Sequence, residues 1–484
     1  MIPSIFSLAP RIALECVHPK SAARCSDLLC LVEAHTIHYM QESLFIKGLS
    51  GKKKLRGEIK VNTAKNAILK AMAASVLFDD EVTLVDVPNI EDVHRMAELL
   101  EDLGVNVKVD QENNKKDNKK DKKNNCYITV GPDISTDLDT EISERLRTSI
   151  VLTGPLLSRF GKVSFPHPGG DVIGARPIDF FLEGFKKFGA EIAHEDDRYE
   201  LSVKGGKLKG ANIFFRSPTH TGTETMMMTA VLAEGKTILK NCVTEPEIKD
   251  LADFLNLCGA QIVGAGTSTI EIEGGDLLHA NKREHLVIPD RIETGSFLIL
   301  GALCADELVI SNCNPLHVEV LIELLRQSGV SIDTEVDKII LRNNGKTPNK
   351  DFKAIDIKTH EYPGFATDLQ APMVVYLTQV FGASVVHETI FEGRLNYTDD
   401  LVRMGADIVM WDAHRAQVKG PTQLTGRALG SPDIRAGLAF IIAASVAKGN
   451  SLINNVYHID RGYERIEERL AKLGLDITRT NRTE

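Results

Sequence analysis

The chain lacks most of the features that assign a protein quickly. No run of eighteen apolar residues occurs in its 484 residues, so no membrane span is expected. The opening "MIPSIFSLAPRIALE" has no basic start and no clear small-residue cleavage site, so no secretory signal is read there. Eight cysteines are scattered without CxxC or metal-ligand spacing, which favours a reduced, cytoplasmic protein. No His, Cys and Asp cluster has metal spacing, no P-loop occurs, no GxGxxG opens a helix after a strand, and no Ser-His-Asp pattern stands out. Neither a metal nor a cofactor is expected. Basic residues are outnumbered: 57 Lys and Arg against 67 Asp and Glu give a net charge of −10. That argues against general nucleic-acid binding. It leaves room for an anionic small substrate, because a few arginines reverse the field inside a cleft. The remaining composition is ordinary for a globular protein, and the length implies two or more domains.

What the chain does have is an internal repeat. One phrase closes six helical segments: "LLEDLGVNV" (99–107), "FKKFGAEI" (185–192), "FLNLCGAQI" (254–262), "LLRQSGVSI" (324–332), "DDLVRMGADI" (399–408) and "RLAKLGLDI" (469–477). Val93, Met96, Ala97 and Leu100 show the helical spacing in the first. The glycine is the residue just past the helix, where a left-handed backbone costs least. The six glycines, 104, 189, 259, 329, 405 and 474, are separated by 85, 70, 70, 76 and 69 residues. The long first interval holds "QENNKKDNKKDKKNN" (111–125), which has no apolar member and reads as a disordered insertion. Strand-like runs precede the helices, among them 81–88, 235–242, 306–313, 383–391 and 450–459. The body is therefore α/β, with six strand-helix-strand units of about seventy residues that must pack together to bury their helices. Residues 1–43 fall outside the pattern and read as an extension, disordered or upstream of the true start.

Several motifs sit beside turns in different units. In "PHPGGDVIGARPID" (166–179), Asp171 stands in a glycine-rich turn ahead of Arg176 and Pro177. The plain reading is a surface loop with a capping acid; the functional one is a mobile catalytic lid. Lys65 and Asn66 open an apolar helix, a place suited to an anion. Arg145, Arg147 and Thr148 precede another, by default as an exposed first turn. Arg291 with Glu293 reads as a structural ion pair, and Thr367 or Asp368 as a helix cap. Asp433 with Arg435, and Asp460 with Arg461, read as local pairs worth little. Taken together, Lys65, Arg147, Arg176, Arg435 and Arg461 with Asp171 and Asp368 point to an enzyme. Its ligands would be multiply anionic and held between two domains, with carboxylates for proton transfer.

As a set, "TAKNA", "IGARPID", "EPEI", "PDRIETGSF", "TDLQAP", "DIRAGL" and "YHIDRGYERIE" resemble, in order and over about 44–480, the UDP-N-acetylglucosamine 1-carboxyvinyltransferase family of enolpyruvyl transferases. The resemblance implies a two-domain inside-out α/β barrel of six repeats. One domain would be 44–64 with 289–484, the other 65–288 with the lid at 166–177. It implies transfer of the enolpyruvyl group of phosphoenolpyruvate to the sugar 3-hydroxyl. Phosphate leaves by addition and elimination, without a metal, in the first committed step of peptidoglycan synthesis. Residue by residue, Lys65, Asn66, Arg176 and Arg461 match phosphoenolpyruvate contacts. Arg147, Arg176, Pro177, Ile178, Asp179, Phe180, Thr219, His220, Thr221, Gly222, Asp368 and Ile390 match the sugar-nucleotide site. Asp368 matches the base near the 3-hydroxyl, and Asp433 and Arg435 complete the site on closure. Asp171 stands where most members carry a cysteine, the acid that protonates the methylene carbon. Thr63, Phe181 and His220 also depart from common choices. A carboxylate is a poorer nucleophile than a thiol, so insensitivity to the epoxide fosfomycin is expected. The alternatives are the sister enzyme acting on shikimate 3-phosphate and a non-catalytic nucleotide-binding paralogue.

Overall fold

The computed structural model describes residues 42–481 apart from 53, 111–123, 172, 175 and 196. The expected extension 1–43 lies outside the described residues up to 41. Its last two members are corrected into the body, because Glu42 and Ser43 open the strand Glu42–Lys47. The insertion 111–125 also lies outside them, except for Asn124 and Asn125. Their carbonyls accept from Val87 N (2.8 Å) and Asp110 N (2.9 Å), so these two belong to the sheet region.

All six helix-glycine-strand segments are present. The helices are Glu91–Asp102, Asp179–Lys187, Pro246–Leu257, Glu319–Ser328, Thr398–Met404 and Ile466–Lys472. Each buries one apolar face. The glycine after each has φ between 90° and 115°, the left-handed turn that stops a helix. The strand that follows is always an edge strand, and each belongs to a different sheet of three or four strands. Five of these strands turn back into an antiparallel hairpin with the next strand in the chain. The sixth, Asp476–Asn481, pairs with Glu42–Lys47 instead. Leu55–Lys60 likewise runs parallel to Ala305–Ser311, far along the chain. The strand expected over 450–459 ends at Asn454, and Tyr457–Asp460 is helical.

A second set of helices is buried almost all round: Lys65–Ala74, Thr153–Phe160, His220–Val231, Arg291–Cys304, Gln370–Leu377 and Ile434–Val446. Helices apolar on every side have no solvent face to offer, so they form the interior. They pack into two apolar clusters. One joins residues from 44–61 and 292–477; the other takes residues from 64–287. Where the chain passes between the clusters, the two passages are hydrogen-bonded side by side. Ala64 N donates to Ile288 O (2.8 Å) and Asp290 N to Asn62 O (2.9 Å). Among the described residues no helix is long and apolar enough to cross a membrane.

Candidate active site

Most of the motifs lie at the starts of the buried helices, whereas those of Arg176 and Arg461 do not. Lys65 is the first residue of its helix. The turn Arg147–Leu152 runs into Thr153–Phe160, and Thr367–Leu369 runs into Gln370–Leu377. Thr219 caps His220–Val231, accepting from Gly222 N at 3.2 Å. Asp290 caps Arg291–Cys304 through Ile292 N (2.8 Å) and Glu293 N (3.0 Å). Asp433 caps Ile434–Val446 through Arg435 N (2.8 Å) and Ala436 N (3.0 Å). A helix start offers unpaired N–H groups and the positive end of the helix dipole, both suited to anions. Five of these starts line one cleft of about 680 Å³, through Asn66, Arg147, Thr219, Arg291 and Thr367 with their neighbours. The sixth reaches it through Arg435, whose Nε donates to Asp368 on the cleft wall at 2.8 Å. The six helix starts are far apart in sequence, which is why the motifs are spread along the chain.

Beside the cleft, a carboxylate that the sequence reading missed organises the cations. Asp92 lies 2.7 Å from Lys65 Nζ and accepts from Arg461 Nε at 2.9 Å. Burial alone would push Asp92 up, but Lys65 and Arg461 outweigh it and hold its carboxyl below the usual range. Burial pulls Lys65 below the usual lysine value; Asp92 opposes this, and Arg461 and Arg435 add to it. In sequence Asp92 is only an acid in a helix first turn, a common way to complement the dipole, so nothing marked it. Arg461 also donates to the Asp171 carboxylate through Nη1. Asp171 therefore sits on the cation expected to hold phosphoenolpyruvate.

The loop that carries Asp171 is fastened from both sides. Arg147 donates to the carbonyls of Pro168 (2.7 Å) and Arg176, and Arg176 donates to the Asp171 carbonyl. From the other half, Gly393 N donates to Ile173 O at 3.1 Å. A Cβ on Gly169 would lie 1.7 Å from the Glu144 carbonyl, so only glycine lets this loop lie so close. Burial, with Arg176 adjacent, lowers Arg147 to about 10. Neither arginine has a carboxylate within ion-pair distance among the described residues, so both keep positive charge for a ligand. The expected exposed first turn is thus corrected for Arg147, though Arg145 does make a surface pair with Glu141.

Three expected pairings and one expected cap are replaced. Arg291 donates to Glu247 (2.9 Å), while Glu293 takes Arg469. Arg435 pairs with Asp368 and donates to Tyr463 Oη (3.0 Å), leaving Asp433 as the cap. Asp460 pairs with Arg479 (2.7 Å), which frees Arg461 for the site. Asp368 makes no cap hydrogen bond; it accepts from Arg394 Nη2 and Arg435 Nε, each at 2.8 Å. Burial would raise its pKa, but the two arginines win and hold it well below the carboxylate range. Arg394 and Glu247 were missed with Asp92, because their partners are remote in sequence; Asp290 was missed as well, although its cap on Ile292 and Glu293 is local and only its bond from Lys65 N is remote.

Pro177, Asp179, Phe180, Thr219, His220, Thr221, Asp368 and Ile390 line the cleft. Ile178 and Gly222 do not: Ile178 packs into the second apolar cluster, and Gly222 is buried against Thr219 and Phe180. The described cysteines are buried, and burial pushes the thiols of Cys126, Cys242 and Cys313 up to about 12. None of these three supplies a reactive thiolate.

The family model for EPSP synthase (3-phosphoshikimate 1-carboxyvinyltransferase) matches residues 49–470. UDP-N-acetylglucosamine 1-carboxyvinyltransferase of Koribacter versatilis is 42% identical over 425 residues, 88% of this chain and 94% of the relative. That of Halothermothrix orenii is 41% identical, over 89% of this chain and 98% of the relative. The enolpyruvyl transferase NikO from Streptomyces tendae superposes with a TM-score of 0.77 at 21% identity, over 92% of this chain and all of that one. EPSP synthase from Acinetobacter baumannii gives 0.66 at 16% identity, over 91% and 100%. These last two bear on fold alone. With the shared sequence spanning both apolar clusters and the cationic cleft, the chain belongs to the enolpyruvyl transferase family that includes the UDP-N-acetylglucosamine 1-carboxyvinyltransferases.

Proposed function

We propose that this protein transfers the enolpyruvyl group of phosphoenolpyruvate to the 3-hydroxyl of UDP-N-acetylglucosamine and releases phosphate, as a cytoplasmic step of peptidoglycan synthesis. One observation carries the reading: buried helix starts from all six repeats converge on a cleft rich in unpaired or shared cations. Phosphoenolpyruvate brings a carboxylate and a phosphate; Lys65, Arg176 and Arg461 are placed to hold them, with Asn66 at the same helix start. Preorganised cations also stabilise the charge that persists through the tetrahedral intermediate. Asp368 is ionised and so can take the proton of the sugar hydroxyl. Its basicity rises when that hydroxyl displaces Arg394 or Arg435. Asp171, moved off Arg461 by the arriving anion and protonated, delivers a proton to the methylene carbon. Loss of a methyl proton and of phosphate then restores the double bond.

The same reading divides the chain into 44–64 with 289–484 and 65–288, arranged as an inside-out α/β barrel; the two apolar clusters support it. Arg435 closes the site by fixing Asp368, and Asp433 helps by capping the helix that carries Arg435. The test is phosphate release and product mass with phosphoenolpyruvate and either UDP-N-acetylglucosamine or shikimate 3-phosphate. Release with the sugar nucleotide alone is expected. Release only with shikimate 3-phosphate, or with neither, overturns the proposal.

A further inference from the structure

His220 lies in the cleft wall at the start of a buried helix, over a cluster of charges that the proposed reaction does not use. Its Nδ1 is 3.3 Å from Glu224 Oε2, one helical turn on. Glu224 is completely buried, and the same oxygen lies 3.3 Å from Lys70 Nζ. Lys70 Nζ also donates to the carbonyl of Asn66 at 2.7 Å, which ties this cluster to the cleft. Neither Glu224 oxygen has a hydrogen-bond partner among the described residues, and neither has His220 Nε2. Charge therefore does most to hold Glu224 between His220 and Lys70. Glu245, at the cap of Pro246–Leu257, and Glu247, in its first turn, act on the ring electrostatically, and Arg291 pairs with Glu247 at 2.9 Å.

The charge balance is decided by the ring. Glu224, Glu245 and Glu247 are three buried carboxylates; Lys70 and Arg291 are two fixed cations. Only an imidazolium at His220 makes the set neutral. A neutral ring leaves one uncompensated negative charge under a cleft built for anions, and buried charge without a partner is costly.

We propose that His220 is an affinity-determining cation of the sugar-nucleotide site: Glu224 holds it as an imidazolium, and its deprotonation weakens diphosphate binding. The inference rests on the reading that this cleft takes a sugar nucleotide. Burial alone would lower the ring's pKa, but Glu224 outweighs it and moves the titration above the ordinary value near 6.5. Affinity is then greatest below that raised value and falls as pH rises through it.

The experiment is calorimetric titration of the full chain with UDP-N-acetylglucosamine between pH 6 and 9, for the wild type, His220→Gln and Glu224→Gln. Replacing a charged by a neutral interaction predicts about a fivefold loss of wild-type affinity across the range. His220→Gln should show the weaker affinity at every pH, with no slope. Glu224→Gln, which keeps the ring but removes its anion, should move the midpoint to lower pH. A wild-type affinity independent of pH overturns this inference alone, as does a wild-type slope retained in His220→Gln. No binding to the wild type at any pH overturns the inference together with the functional reading.

Discussion

At the scale of single residues, an aspartate at position 171 changes which chemistry is open to this enzyme. Asp171 is held by Arg461, with Asp92 on the far side of the same guanidinium. A carboxylate here can carry a proton but makes a poor nucleophile towards an epoxide. The wild type should keep full activity after preincubation with fosfomycin, and Asp171→Cys should lose it progressively with time. Rapid irreversible inactivation of the wild type would show that Asp171 is not what governs sensitivity. Asp92 makes a different prediction. Removing its charge leaves Lys65 and Arg461 buried side by side without their shared anion. Asp92→Asn should lower stability by about 3 kcal/mol in denaturant unfolding. In steady-state kinetics it should raise KM for phosphoenolpyruvate more than KM for the sugar nucleotide. Asp171 and Asp368 were legible in the sequence because glycines and a helix start frame them. Asp92 was not, since an acid in a helix first turn has an ordinary explanation.

At the scale of elements, the six left-handed glycines were the most readable feature, because a helix stop is encoded locally. Their cost when replaced depends on surroundings that only the fold supplies. A Cβ on Gly189 meets nothing within 4 Å, so its φ of 95° is the whole penalty. Gly189→Ala should cost about 1 kcal/mol, the price of a left-handed backbone for an L-residue. At Gly329 the same Cβ lies 2.9 Å from the Asp351 carbonyl. Gly329→Ala should therefore cost clearly more in the same urea titration; equal losses would mean that the chain relaxes around the clash. The buried helices were less legible. Apolar all-round helices and central strands both appear as apolar runs, so although helices were read after Lys65, Arg147 and Asp368, nothing local showed that these starts meet at one cleft.

For the whole molecule, one side chain ties the two apolar clusters together where the chain passes between them. Asp290 caps Arg291–Cys304 with one oxygen and accepts from Lys65 N with the other (3.2 Å), so it serves a helix start in each cluster. Asp290→Ala should lower stability by about 2 kcal/mol and raise KM for phosphoenolpyruvate, because Lys65 loses its anchor; unfolding and kinetics on the same preparation check both. An unchanged KM would confine Asp290 to capping. The sequence by itself determined the α/β class, the six glycine helix stops and most of the charged residues around the cleft. Those follow from periodicity, glycine conformation and motif, all of which act over a few residues. Tertiary structure alone decided which charges meet: Asp92 with Arg461 across 369 positions, Asp368 with Arg435 across 67, Arg291 with Glu247 rather than Glu293. Such pairings depend on how six separately folded helix starts converge, and no local pattern in a chain records that convergence.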